Sequence, residues 1–294
     1  LLIDIHGEYG PALSDVAKTF SILPSGENQL YIPFWCISPD KLIEFLCNNP
    51  NDSQRSLFMD KTVDEKRLGI TWNNIKNIDP EKITSNTPLP YRLKKLWYDL
   101  CHEDSINYTD NTMTTPAYAP NGEGSFDDLI APKFLPPGAG TAPPKKGGTG
   151  AMKRQLDLMK SRLLDTQYSF LLEPGDWNPD KDGKIKKDLD GLLEEWLGHD
   201  KPITILDLSG MPSARLTLLL GAVLDIIFES AIWGRNVAEG MRERPLLIVL
   251  EEAHRYLGKS ESGHSKEMVQ RIAKEGRKFG VGAMIVSQRP SEID

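Results

Sequence analysis

The chain has 294 residues, 39% hydrophobic and 26% charged, enough for one large domain or two small ones. Its net charge of −7 opposes a broad basic face for nucleic acid, while leaving room for a local basic lining such as the pore of a ring. There is no apolar run of the roughly 18 residues that span a bilayer and no secretory leader, and three widely spaced cysteines without a CxxC argue against a disulfide frame or a zinc site; the expectation is a cytoplasmic protein without a membrane segment.

In chain order, residues 1–5 (LLIDI) read as a strand with no lead-in, followed by the polar turn His6-Gly7-Glu8-Tyr9-Gly10. A parallel strand needs a preceding crossover, so the chain reads as an internal piece of a longer protein. Residues 29–38 (QLYIPFWCIS) are a second apolar, β-prone run, and Pro39 and Asp40 open a helix through Cys47. Residues 53–74 and 90–101 have helical spacing with many exposed charges. From 105 to 150 Pro, Gly, Asn and Thr dominate, which predicts a long flexible loop without a packed core. A helix over 151–164, a short strand over 168–172, a charged loop over 176–187 and a short helix over 189–197 follow. The α/β alternation is clearest beyond residue 200. A strand at 203–206 ends at Asp207, and a helix starts at Pro212 or Ser213; its apolar stretch 216–232, interrupted by Gly221, Asp225, Glu229 and Ser230, predicts a buried core helix. A strand at 246–250 precedes an amphipathic helix at 265–278, with Met268, Val269, Ile272 and Ala273 inward and Gly280 as its C-cap. A strand at 281–286 leads into Ser287-Gln288-Arg289-Pro290. Strands alternating with helices imply a parallel sheet.

The run Leu246-Leu247-Ile248-Val249-Leu250 ends in two adjacent carboxylates, Glu251 and Glu252. A fully apolar strand of this kind is expected to be covered on both faces. Carboxylates at its end lie where open α/β sheets bind ligands. One can hold a Mg²⁺ and the other can deprotonate a water aimed at a phosphate, the arrangement of a Walker B element; the plain alternative is that acids open the next helix. Asp4, Asp207, Glu251 and Gln288 all stand at predicted strand ends, and four together point to a site on one sheet edge. The Gln288 amide can donate and accept at once, as bridging a γ-phosphate and a water requires. Arg271, Lys274, Arg277 and Lys278 give one helix a basic side: either a solvated helix end or an arginine finger for a neighbour's nucleotide. No GxxxxGK[ST] phosphate loop occurs; Gly258-Lys259-Ser260 carries only half of that pattern and reads as an exposed loop, and His254 and His264 form no metal-spaced cluster.

Residues 2–9 (LIDIHGEY) resemble the DxHGEY signature of the HerA branch of the HerA/FtsK ring ATPases. Residues 247–254 (LIVLEEAH) resemble that family's Walker B, 271–280 with 287–293 its arginine-finger helix and sensor strand, and 205–209 (ILDLS) another core strand, all in the family's order. Residues 47–150 carry no such likeness. The resemblance implies an α/β fold: a RecA-like P-loop NTPase core with a parallel sheet, carrying a largely helical insertion and a long flexible loop. The organisation expected is a core at 1–38 and 166–294, a helical subdomain at 39–104, a flexible segment at 105–150 and a helix at 151–165 returning to the core, with the family's Walker A and N-terminal β-barrel outside these residues.

The family further implies ATP and Mg²⁺, a homohexamer translocating double-stranded DNA, and a partner nuclease or other effector subunit, such as a NurA-like nuclease or a sirtuin-like NADase, in DNA-end processing or antiphage defence. By the same resemblance Glu252 is the catalytic base and Glu251 the Mg²⁺-side carboxylate. Asp4 and Glu8 are site acids beside the phosphate loop. Gln288 is the sensor, Arg277 the finger acting in trans, and Arg271 the second candidate for that finger, counted among the cofactor-binding residues. The rivals are a motor of the same superfamily moving another substrate in conjugation or secretion, and a scaffold ring whose nucleotide only holds a partner.

Overall fold

Short runs of branched aliphatic residues separated by amphipathic stretches cannot bury themselves alone, and here they pair into one parallel sheet. A computed structural model describes residues 1–23, 28–76, 78–136, 151–237, 240–258 and 263–293. In chain order the elements are β1 (Leu2–Asp4), α1 (Tyr9–Ala12), β2 (Ala17–Ser21), α2 (Pro39–Cys47), α3 (Asp52–Trp72), α4 (Leu93–Ser105) and α5 (Lys153–Leu163). They continue with α6 (Ser169–Leu172), α7 (Leu189–Leu197), β3 (Ile203–Asp207), α8 (Ser213–Trp233), β4 (Leu246–Leu250), α9 (His264–Glu275) and β5 (Val281–Ile285). The chain divides into two compact units: Leu1–Ile37, Pro174–Asp176 and Lys187–Asp294 form one, and Ser38–Glu173 with Trp177–Lys186 the other.

The first unit holds the five-stranded sheet, in the order β2-β3-β1-β4-β5. Every neighbouring pair is parallel. The chain's first residues therefore form its central strand, with Asp4 level with Asp207 on one side and Ile3 level with Leu250 on the other. This register brings Asp4, Asp207 and Glu251 to one carboxyl edge. Helix α8 is apolar and long enough to cross a membrane by composition, yet most of that stretch is buried and it packs against α9. The expectation that β4 is covered on both faces is corrected: Ile248 and Leu250 are buried, but Leu247 is 47% exposed and Met284 of β5 48%. Leu247 and Met284 share one face of the β4–β5 ladder, and among the described residues that face is open.

Three local readings also change. Strand β2 (AKTFS) has too little aliphatic content to announce itself, yet it pairs along its length with β3. The run 29–38 forms no strand beyond a single bridge from Gln29 to Ser21, because Pro33 lacks an N–H and leads into a 3₁₀ turn at Phe34–Cys36. Its apolar character reflects burial of Leu30, Ile32, Phe34, Trp35 and Ile37. Residues 168–172 are helical, because the Asp165 carboxylate accepts the Gln167 N–H at 3.0 Å, starts a 3₁₀ turn at Thr166–Tyr168, and α6 follows.

The second unit is helical. Asn51 and Gln54 form a reciprocal capping box at the start of α3. The Arg92 guanidinium pairs with both oxygens of buried Glu65 and stacks 4.1 Å over the Trp72 ring. Helix α5 packs on α2 and α4 in this unit, and its Leu156 carbonyl accepts from the Trp97 indole at 3.0 Å. Residues 105–136 are more ordered than their composition suggests: Ile106, Tyr108, Ala117 and Leu129 are buried, and Tyr118 stacks on Phe134 at 5.0 Å. Residues 137–150 of the segment expected to be flexible lie outside the described residues, as do Lys259 and Ser260.

Candidate functional site at the carboxyl edge of the sheet

Asp4 is fully buried at the end of β1. Its Oδ1 accepts the backbone N–H groups of His6 at 3.0 Å and Gly7 at 2.8 Å, and its Oδ2 accepts that of Tyr9 at 3.0 Å. The aspartate of the DIHGEY segment thus folds the segment back on itself. Gly7, at φ +76°, supplies the left-handed residue this turn needs, and an added Cβ would stand 3.0 Å from Ser209 Oγ on the neighbouring turn. That neighbouring turn is built the same way, with Asp207 Oδ1 accepting the Ser209 N–H at 2.8 Å. Glu8 sits at the N-cap of α1 without a side-chain cap bond.

Glu251 is 9% exposed, and its Oε2 is buried without a hydrogen-bond partner among the described residues. Burial pushes its carboxyl above the ordinary value; the Asp4 carboxylate adds to this, Tyr9 and His6 oppose it, and Glu252 adds further. The Tyr9 hydroxyl, hydrogen-bonded to this carboxylate, is itself pushed up by burial first and then by Glu251. An orphaned carboxylate oxygen beside a second acid is a place where a cation relieves both desolvation and repulsion. Among the described residues no cluster of three or more His, Cys, Asp or Glu could hold a metal alone. Such a donor set suits Mg²⁺, which keeps waters and takes one or two carboxylates plus phosphate oxygens.

Glu252 takes the left-handed conformation, φ 47° and ψ 40°. For a residue with a Cβ this costs roughly 1–3 kcal/mol and is held only where surroundings insist on it. Here the ladder insists: the Val286 N–H donates to Leu250 O at 2.8 Å and the Ala253 N–H to Val286 O at 3.0 Å. The Tyr256 hydroxyl closes the turn on Glu251 O at 2.7 Å. Glu252 Oε2 lies 3.5 Å from His254 Nδ1, and that nitrogen lies 3.3 Å from Ser287 Oγ.

The basic residues separate. Helix α9 ends at Glu275 rather than 278, and Arg277 lies on the following 3₁₀ turn, Gly276–Phe279, closed by left-handed Gly280. Only glycine fits at that junction, since a Cβ on Gly276 would meet Val281 O at 2.3 Å. Arg277 is exposed, and its side chain pairs with no other among the described residues. Arg271 instead faces α8: its Nη1 donates to Glu229 at 2.6 Å, and its guanidinium lies 4.9 Å from the Phe228 ring centre. Gln288 is exposed in the turn after β5. The residues brought together are therefore Asp4, Tyr9, Glu251, Glu252, His254 and Ser287. His254 and Ser287 escape a spacing-based reading because 33 positions separate them; the one signal is that each follows the end of a neighbouring parallel strand.

Five parallel strands with acids gathered on one carboxyl edge define this unit as an α/β fold. The same fold occurs in VirB4 of Thermoanaerobacter pseudethanolicus, at a TM-score of 0.51 and 14% identity over 97% of this chain and 61% of that one. The chain belongs to the family described as helicase HerA, central domain, matched over residues 1–227. That match runs through the helical middle, which no motif resemblance reached, and stops before residues 247–293. The protein named "Probable helicase MJECL08" of Methanocaldococcus jannaschii is 33% identical over 121 residues, 40% of this chain and 23% of that protein. The DNA double-strand break repair helicase HerA of Saccharolobus solfataricus is 56% identical over 50 residues, 17% of this chain and 10% of that protein. These matches thus span less than a quarter of either relative.

Proposed function

We propose that this chain is the nucleotide-hydrolysing core of a HerA-type motor that couples ATP turnover to translocation of double-stranded DNA. The observation that carries this is the buried, unpartnered oxygen of Glu251 beside Asp4 and Glu252, on the edge where parallel α/β sheets take ligands. Mg²⁺, when bound, would neutralise phosphate charge and stabilise the charge that develops on transfer. Glu251 would hold the metal side, Asp4 would keep the turn bearing Glu8 and Tyr9 against the site, and Glu252 would take the proton of the attacking water. Gln288 would sense the γ-phosphate and Arg277 would reach a neighbour's nucleotide in a homohexamer, with Arg271 serving through the seating of α9. A nuclease or other effector subunit, in DNA-end processing or antiphage defence, completes the reading.

The test is Glu252→Gln in the full-length protein. The amide keeps the shape and cannot accept the proton, so ATP turnover should vanish while ATP binding persists. Near-normal turnover would remove Glu252 from the role of base. Stimulation of wild-type turnover by double-stranded DNA separates this motor from one that moves another substrate or from a nucleotide-gated scaffold.

A further inference from the structure

We infer that His254 is a positioning residue that ties the base Glu252 to the end of β5 through Ser287; the inference rests on the reading of Glu252 as base. His254 Nδ1 stands between Glu252 Oε2 at 3.5 Å and Ser287 Oγ at 3.3 Å. The Ser287 side is anchored from elsewhere. Ser287 Oγ accepts the Arg289 N–H at 3.0 Å, which fixes the hydroxyl within its own turn. The backbone pair of Ala253 N–H with Val286 O, at 3.0 Å, continues the β4–β5 ladder past both strand ends, and His254 and Ser287 are the next residue on each side.

Glu252 needs such a tether. Its left-handed backbone makes no side-chain cap, and its carboxylate leaves the strand end aimed by the side chain alone. A general base works only if its oxygen is held toward the proton it removes. A single Nδ1–H shared between Glu252 Oε2 and Ser287 Oγ restrains one carboxylate oxygen and leaves the other for water. The anchor is the residue before Gln288, so displacement of the β5 end by nucleotide would reach the base through one side chain.

The test is steady-state ATP turnover by the full-length protein, with Glu252→Gln as reference. His254→Phe keeps the ring and removes both nitrogens. It should lower kcat roughly ten- to hundredfold, the cost of misaiming a reacting group. KM for ATP should stay within about twofold, because only a group acting after binding is disturbed. His254→Asn places an amide nitrogen near the Nδ1 position and should recover most of the rate. Ser287→Ala, a smaller change, should lower kcat in the same direction. If Glu252→Gln is inactive while His254→Phe turns over normally, the positioning role is overturned and the base reading stands. If Glu252→Gln itself turns over, the base reading is what fails. An Asn variant as slow as the Phe variant also overturns the inference, since the donor would then be irrelevant. Should His254→Phe unfold, Ser287→Ala decides: a loss of kcat supports the tether and a wild-type rate overturns it.

Discussion

Asp4 answers three backbone donors with one carboxylate, and this separates two roles that a strand-end acid can have. A site acid kept for metal or water would leave its oxygens open. Asp4 instead holds the His6-Gly7-Glu8-Tyr9 turn, and through it the Tyr9 hydroxyl that meets Glu251. Replacing it with Asn keeps one acceptor and sets an NH₂ group against a backbone N–H. Asp4→Asn should therefore destabilise the fold by about 1–3 kcal/mol, the range for losing hydrogen bonds to a charged group in a buried turn. Denaturant unfolding checks this; unchanged stability together with lost metal or nucleotide binding would return Asp4 to the ligand. Glu251 shows the opposite pattern at the same edge, buried with one oxygen unpaired. An oxygen so placed is costly without a partner, and this supports the proposed binding role of Glu251.

At the scale of elements, the pairing of α8 with α9 decides what the basic residues do. Asp225 pairs with His264 near the start of α9, Glu229 with Arg271 two turns later, and Phe228 meets Phe279 edge-to-face at 5.7 Å. These contacts seat α9 and carry the 3₁₀ turn that presents Arg277. Arg271 and Glu229 are 39% and 44% exposed, so their ion pair is screened and worth at most about 1 kcal/mol. The Phe228 contact adds roughly 0.5–1 kcal/mol. Arg271→Ala should lower stability by about 1 kcal/mol and leave ATP affinity unchanged. Thermal unfolding and equilibrium nucleotide binding measure the two separately, and a loss of affinity without a loss of stability would put Arg271 back at the nucleotide.

At the scale of the whole molecule, Arg277 stands exposed on the turn between α9 and β5, and the proposed ring would offer it a neighbour's nucleotide. In a ring it would face the next subunit, where its planar fork can pair two phosphate oxygens and keeps its charge. Fingers of this kind contribute roughly 10³–10⁵ in rate in related phosphoryl transfers. Arg277→Ala should leave ATP binding and assembly nearly intact and remove most turnover. Mixing it with Glu252→Gln subunits creates junctions that hold one intact Glu252 and one intact Arg277, and activity should partly return. Mixed rings that tolerate inactive subunits but stay inactive would confine Arg277 to its own subunit or to a structural role.

The period of the apolar pattern and the residues at its breaks were enough to name the parallel sheet, four of its strands, the helices at 39–47 and 189–197, and the carboxylates at the strand ends. Those signals are local: a strand buries a contiguous run, a helix buries every third or fourth residue, and a proline or an acid marks where each stops. What the local pattern could not carry was partnership. Strand β2 exists because β3 lies beside it, and the run 29–38 is buried without pairing in a strand. Arg271 and Arg277 sit six positions apart on one basic segment, yet packing against α8 occupies the first and leaves the second exposed. His254 and Ser287 meet only because β4 and β5 run in register to a common edge. Register and packing join residues far apart in the chain, so the tertiary structure alone decided which acid holds the turn, which one keeps an unpaired oxygen, and which side chains stand beside Glu252.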